Sequence, residues 1–308
     1  MKHVVSISLG SSSRDKKVEF KLGQETILIE RIGCDGDEER ARALFNELDG
    51  KVDAFGVGGV ELFVRVLNKS YPLRSGINLV KEVKHTPYTD GRGLKLTLEQ
   101  NIFQMAEPHF QFSITPRKAM MPVAADRYGM AASLDRAGFE LVFCDLMFGL
   151  GIPLPVYGLA RLRTLAAILM PVVGLMPISM LYPTGQDQDR NIPKYEKWFN
   201  YGPVIAGDFQ YIRRHMPLDM QGKVIITNTT TASDVEFMQS RGVAYLITST
   251  PRIDGRSFGT NVLEAALIAY AGKGRTLTDA ELASLINALN LKPAVQALNP
   301  VQLVETNS

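Results

Sequence analysis

The chain has few of the residues on which disulfide-stapled or metal-bound folds depend: two of its 308 residues are cysteine, Cys34 and Cys144. Two cysteines cannot build a disulfide framework, and with four scattered histidines they offer no zinc-type spacing. No metal site is expected, and a reducing, cytoplasmic setting is. Charge of one sign is lacking as well. Lysine plus arginine (34) and aspartate plus glutamate (32) nearly cancel, and neither forms a long block, which excludes the electrostatic footprint of a nucleic-acid or membrane-surface binder. The start of the sequence has no charged n-region, long apolar h-region or small-residue cleavage site, and reads as a first strand over residues 3–9. One apolar stretch, residues 165–182, approaches the length of a membrane span. Pro171, Gly174 and Pro177 interrupt it and would free backbone groups that lipid cannot satisfy, so it reads as a buried element of a soluble domain. The expected partner is a small-molecule substrate, not nucleic acid or membrane, and a homodimer is left open.

What is present is a chain that is 45% hydrophobic and 21% charged, enough to bury a core, with a length that favours two domains. The pattern predicts an α/β protein: a smaller, β-rich α/β N-terminal domain over residues 1–98 and a Rossmann-like, parallel-sheet second domain over residues 99–308. In the first, strands over 3–9, 17–22 and 26–32 precede a charged helix (35–48), a strand (53–57) and a helical run (61–68) opened by Gly58 and Gly59. In the second, strands over 118–124, 139–144, 204–206, 223–227 and 244–248 alternate with helices over 130–137, 209–215 and 233–241, which predicts a parallel sheet with helices on both faces. Helices over 262–271 and 279–289 follow, the latter behind a Thr278 cap, and the last helix can pack back on the first domain.

The segment 123–145 carries the most chemistry. A dinucleotide fold needs a tight turn after its first strand, close approach of backbone to pyrophosphate, and an acidic residue roughly 20 positions later for the ribose. Ala124, Asp126 and Gly129 stand at the three positions of Gly-x-Gly-x-x-Gly, and Asp145 ends the next strand. Asp126 puts a carboxylate where pyrophosphate approaches, and Arg127 is placed to offset it. NAD or NADP is the cofactor in view, with NAD favoured because a carboxylate at Asp145 repels a 2′-phosphate. The competing reading is a Rossmann-like βαβ that binds no dinucleotide.

Residues 89–99, TDGRGLKLTLE, resemble the NTDGxGxxxxLE segment of shikimate and quinate dehydrogenases. The chain is also similar, in its DGxGLK, DRxGM, YPTG, NTTT and GRSFGTN landmarks, to a bacterial group labelled quinate 5-dehydrogenase. The resemblance implies NAD(P)-dependent oxidation of a hydroxyl on a small polar hydroxy acid such as quinate or shikimate. It makes Asp90 one half of a catalytic acid/base pair. The family's lysine stretch, Asn-Val-Thr-x-Pro-x-Lys, has no counterpart, so Lys69 and Lys95 are the candidates for the other half. It further implies that Ser11 and Ser13 hold the substrate carboxylate.

Two other functions stay open. One is a non-catalytic small-molecule or nucleotide binder with a degenerate Rossmann loop. The other is phosphoryl transfer: residues 10–14 (Gly-Ser-Ser-Ser-Arg) form a candidate anion nest between two strands, resembling the phosphate hairpin of acetate-kinase-like enzymes, and would need a divalent metal near Asp90 or Asp208. In the second half, loops at 207–208, 228–231 and 255–261 should open on one side of the sheet, which nominates Asn228 and Thr229 for the cofactor and Arg256, Ser257 and Asn261 for the substrate. Thr231 or Ser233 reads as an alternative cap of the next helix, Ser233 with Glu236 as a capping box, and Asn261 as an alternative cap of the helix over 262–271. The turn at 182–185 and His215 are weaker candidates, the first as a hinge.

Overall fold

The structure is a computed structural model, and it describes residues 1–66, 69–110, 112–177, 190–253 and 256–299. The chain divides into two compact units, each discontinuous: unit 1 comprises Met1–Leu98, Arg163–Arg190 and Gly259–Leu291, and unit 2 comprises Glu99–Leu162, Asn191–Phe258 and Lys292–Ser308. The first border falls between residues 98 and 99, and the two late helices lie in unit 1 rather than in one continuous second segment.

The elements of the first 98 residues are β1 (Lys2–Ser8), β2 (Lys16–Leu22), β3 (Glu25–Gly33), α1 (Glu38–Leu48), β4 (Ala54–Gly58), β5 (Phe63–Val66), β6 (Lys69–Pro72), α2 (Arg74–Val80), β7 (Tyr88–Thr89) and α3 (Arg92–Thr97). There follow α4 (Ile102–Ala106), β8 (Lys118–Met121), α5 (Tyr128–Arg136), β9 (Glu140–Phe143), α6 (Asp145–Leu150), β10 (Val156–Tyr157), α7 (Leu159–Val173), α8 (Glu196–Phe199), β11 (Val204–Ala206), α9 (Phe209–His215), β12 (Val224–Thr227), α10 (Ala232–Ser240) and β13 (Tyr245–Thr248). The last are β14 (Arg252–Ile253), β15 (Arg256–Ser257), α11 (Thr260–Ala271), α12 (Asp279–Ala288) and β16 (Ala294–Ala297).

In unit 1 the sheet order is β2-β3-β1-β4-β7, with β1 parallel to β3 and β4, β4 parallel to β7, and β2 antiparallel at the edge. Val5, Ile7, Phe55 and Val57 of the central strands are buried in one core with Phe45 of α1 and Leu79 of α2, and Phe45 meets Phe55 edge to face at 5.2 Å. α11 packs on β1 and β4. It is buried from Val262 to Ala269, as a helix that is apolar nearly all round must be. Gly56 and Gly58 permit this approach: a Cβ at either would come within 3.2 Å of the Asn261 side chain.

In unit 2 the order is β10-β9-β8-β11-β12-β13-β16, parallel from β9 to β13 with an antiparallel strand at each edge. β12 and β13 are buried along their whole length, which is why they read as continuous apolar runs rather than alternations. Strand order reverses between β8 and β11, and the carboxyl ends of that pair mark the switch point where ligands of open α/β sheets sit. The mixed α/β class with a Rossmann-like second sheet is therefore present.

Three local expectations are corrected. Residues 61–66 are not helical: β5 pairs antiparallel with β6, because Val64 and Val66 alternate with less buried positions and pack against the strand that carries Tyr71. Of the two caps expected for α10, Thr231 is the one present, and the capping box joins it to Asp234 rather than Ser233 to Glu236. α7 is not wholly buried, since Ile168 and Val172 are exposed although Leu162, Ala166 and Met170 are covered. No helix among the described residues is long and apolar enough to cross a membrane. Residues 182–185 lie outside the described residues.

Candidate functional site

The segment that resembles the dehydrogenase motif begins where β7 ends. Thr89 Oγ1 donates to Glu264 Oε1 at 2.5 Å and accepts the Gly91 amide at 3.0 Å. Asp90 is buried, and its carboxylate organises the turn: Oδ2 accepts from the amides of Leu62 (2.8 Å) and Phe63 (3.3 Å), and Oδ1 from that of Arg92 (3.2 Å). Gly91 has φ +83° and a Cβ there would overlap the Asn261 amide, so the turn requires glycine. Glu264 Oε2 accepts from the Leu94 amide at 2.9 Å. Burial pushes the Glu264 carboxyl up to about 7, against the pull of its Thr89 and Leu94 hydrogen bonds and with a further push from Asp90.

These groups border a cavity of about 430 Å³ in unit 1, lined among others by Phe63, Thr89, Asp90, Arg92 and Glu264. Its size falls within the roughly 300–1,000 Å³ usual for small-ligand sites. The Arg92 guanidinium lies 4.8 Å from the Phe63 ring centroid in a cation–π contact. It forms no hydrogen bond or ion pair among the described residues. Neither Arg92 nor Glu264 was a sequence candidate; Arg92 stands inside the motif, whereas Glu264 carries no local signal.

The expected lysine partner of Asp90 is not found among the described residues. Lys95 is buried and its ammonium pairs with Glu61, which follows Gly58 and Gly59 at the end of β4. Lys69 is exposed on β6, 5.1 Å from the Tyr71 ring centroid. No hydrogen bond or ion pair joins either lysine to Asp90 among the described residues, because α3 turns Lys95 toward Glu61 and the hairpin carries Lys69 to the surface.

The Gly-Ser loop after β1 is likewise occupied by protein. The Ser12 amide donates to Asp35 at 2.8 Å, the Ser13 amide to Ser11 Oγ at 3.2 Å, and Ser11 Oγ lies 2.7 Å from Ser13 Oγ. Arg31 binds the Ser11 carbonyl (3.0 Å) and Asp15 (2.7 Å). β2 pairs with β3 and not with β1, so the phosphate-hairpin expectation is corrected. Ser11 and Ser13 do not line the cavity. No group of three or more His, Cys, Asp or Glu is placed to hold a metal ion among the described residues.

In unit 2 the loop between β8 and α5 departs from a pyrophosphate cradle. The Ala124 and Ala125 amides both donate to Asp145 Oδ1 at 2.9 Å. Asp145 is the first residue of α6, and burial pushes its carboxyl up to about 6 despite those two hydrogen bonds. Arg127, itself buried, donates to Glu99 (3.0 Å) and Asp208 (2.9 Å) and lies 3.5 Å from the Asp126 carboxylate. Gly129 is buried inside α5. Three carboxylates thus share one guanidinium beside the switch point, and the amides that would meet a phosphate already have an acceptor. The residues present do not fit the pyrophosphate of NAD or NADP, and the assignments of Asp145 to ribose and Arg127 to phosphate are corrected accordingly.

Asn228 donates to Asp208 at 2.7 Å and accepts the Phe209 amide at 3.2 Å, while Thr229 lies half-buried in the next position. Ser257 Oγ accepts the Thr230 amide at 2.7 Å, joining two of the three expected loops within unit 2. Arg256 falls in β15, and its side chain lies outside the described residues. Asn261 belongs to unit 1: its side chain donates to Ser6 at 3.0 Å and Gly259, not Asn261, caps α11, so it serves helix packing rather than a substrate loop. His215 is buried, hydrogen-bonded to the Ile192 carbonyl at 3.0 Å and lowered in pKa by burial.

The fold and these sites define an α/β protein with a Rossmann-like sheet and a polar cavity outside that sheet. Residues 93–298 match a family described as a domain of unknown function (DUF8754), and the chain belongs to it. Residues 3–90 match a second such domain (DUF8753). No curated protein matches the chain. Among solved structures it is similar to the NAD-dependent malic enzyme of Thermotoga maritima, at 13% identity and TM-score 0.41, covering 98% of this chain and 81% of that one. It is similar to a galactofuranose-binding protein at 9% identity and TM-score 0.37, covering 96% and 95%. A glucose-galactose binding protein of Geobacillus stearothermophilus follows at 10% identity and TM-score 0.37, covering 98% and 99%. Likenesses this distant carry no functional argument.

Proposed function

We propose that the protein binds a small, polar, carboxylate-bearing compound of the hydroxy-acid class, such as quinate or shikimate, in the cavity of unit 1. The observation that carries this is Arg92, whose guanidinium stacks on Phe63, lines the cavity and forms no salt bridge or side-chain hydrogen bond among the described residues, its charge acting on the Glu264 carboxyl only at longer range. A charged fork of five donors in a concave polar site favours a bidentate carboxylate. Asp90 and Glu264 beside it have lone pairs left for ligand hydroxyls. The similarity of residues 89–99 to the shikimate/quinate dehydrogenase segment supplies the substrate class.

Oxidation of that compound by NAD or NADP is the second reading, favoured by Glu264, a carboxyl near neutrality beside the motif aspartate. It requires a dinucleotide on the loop after β8, where the residues do not fit one, so binding is the function the geometry supports best. Calorimetric titration with quinate and shikimate, for wild type and Arg92→Ala, tests the proposal. Saturable binding that weakens at least about tenfold in the variant is expected. Binding indifferent to the substitution would sink it, and reduction of added NAD or NADP in the presence of either acid would move the reading to the dehydrogenase.

A further inference from the structure

Backbone amides at the start of a helix after a β-strand are free donors in a dinucleotide fold, and a carboxylate at the end of the neighbouring strand reaches past them to the ribose. Here the same two parts meet each other. The Ala124 and Ala125 amides converge on one oxygen of Asp145, each at 2.9 Å, which is how a nest holds an anion. The other oxygen, Oδ2, is buried and has no hydrogen-bond partner among the described residues. A carboxylate free to serve a ribose would keep its oxygens toward the crevice; this one is turned into the loop with one oxygen doubly bound and the other unsatisfied.

The surroundings reinforce the closure. Arg127, the residue placed to neutralise a phosphate, already donates to Glu99 and Asp208 and lies near Asp126. An incoming pyrophosphate would meet Asp126, Asp208 and Asp145 with no uncommitted cation from this loop to offset them, and like charges at such range disfavour binding strongly.

We infer that the first loop of unit 2 is a self-occupied anion nest: the Asp145 carboxylate takes the place of a dinucleotide's pyrophosphate and closes the crevice to phosphate-bearing nucleotides. Asp145 is therefore an internal occupant, not a ribose ligand, although it sits at the sequence position of one. The inference concerns unit 2 alone and does not depend on what the cavity of unit 1 takes.

The test is equilibrium titration of the full chain at pH 8 with ADP and with NAD, for wild type, Asp145→Ala and Asp145→Asn, with folding checked by thermal melting. Wild type should show no saturation with either nucleotide. Asp145→Ala, which frees both amides and removes a charge, should bind ADP saturably and at least about tenfold more tightly than wild type. Asp145→Asn keeps an acceptor for the amides without the charge, and should bind ADP more tightly than wild type and less tightly than Asp145→Ala; if Asp145→Ala does not fold well enough to titrate, the comparison of Asp145→Asn with wild type decides alone. Saturable NAD binding by wild type that is lost in either variant would overturn the inference and return Asp145 to the ribose. Folded variants that bind neither nucleotide would overturn it as well, since the amides would then be no anion site.

Discussion

Glu264 accepts a 2.5 Å hydrogen bond from Thr89, fastening the middle of α11 to the strand that opens the Asp90 motif. The carboxyl is buried and raised to about 7, so in the folded protein it holds a proton that the unfolded chain, with an ordinary value of 4.5, releases. Its contribution to stability is full below about pH 4.5 and lost as pH rises through 7. A shift of that size corresponds to on the order of 3 kcal/mol. Asp145 acts in the same direction up to about pH 6, and His215, lowered by burial from 6.5, acts in the opposite direction, so Glu264 is isolated by the difference between wild type and Glu264→Gln. Urea denaturation should show stability falling more steeply with pH up to about 7 in wild type than in Glu264→Gln; equal slopes would contradict the assignment.

Asp90 is a scaffold for its own turn before it is anything else. Asp90→Ala removes the acceptor of three backbone amides, those of Leu62, Phe63 and Arg92. Leaving buried donors unpaired should cost about 2–3 kcal/mol, and Asp90→Asn, which keeps one acceptor oxygen, about half of that. Denaturation midpoints decide the matter: variants as stable as wild type would mean that the carboxylate is free for chemistry.

Arg127 is the cation that Glu99 and Asp208 share in unit 2. Arg127→Met leaves both carboxylates without it and should lower stability by about 3–5 kcal/mol, the range for breaking a buried pair from one side. If Arg127 instead serves a ligand, the variant should keep its melting temperature.

Much of the fold is legible in the sequence where one signal dominates. β12 and β13 announce themselves as short apolar runs, and α12 by its cap at Thr278. Residues 61–66 mislead because Gly58-Gly59 resembles a helix entrance, while the alternation of Val64 and Val66 that marks β5 spans only four residues. The candidate site is less legible, because a sequence names hydrogen-bonding groups without saying which partners they take. Asp145, just beyond β9, reads the same whether it faces a ribose or the Ala124 and Ala125 amides. Lys95 reads the same whether it faces Asp90 or Glu61. Glu264 reaches Thr89 only because Gly56 and Gly58 let α11 lie close on β4, a long-range relationship with no local pattern.

The most direct measurement of the central claim is the coupling between Arg92 and the ligand's carboxylate. Dissociation constants are measured for a bound hydroxy acid and for its neutral amide, each with wild type and Arg92→Ala, and the two ratios compared as a double-mutant cycle. A guanidinium that holds the carboxylate predicts that the substitution weakens the acid at least about tenfold and leaves the amide nearly unchanged. Equal losses for acid and amide would contradict it.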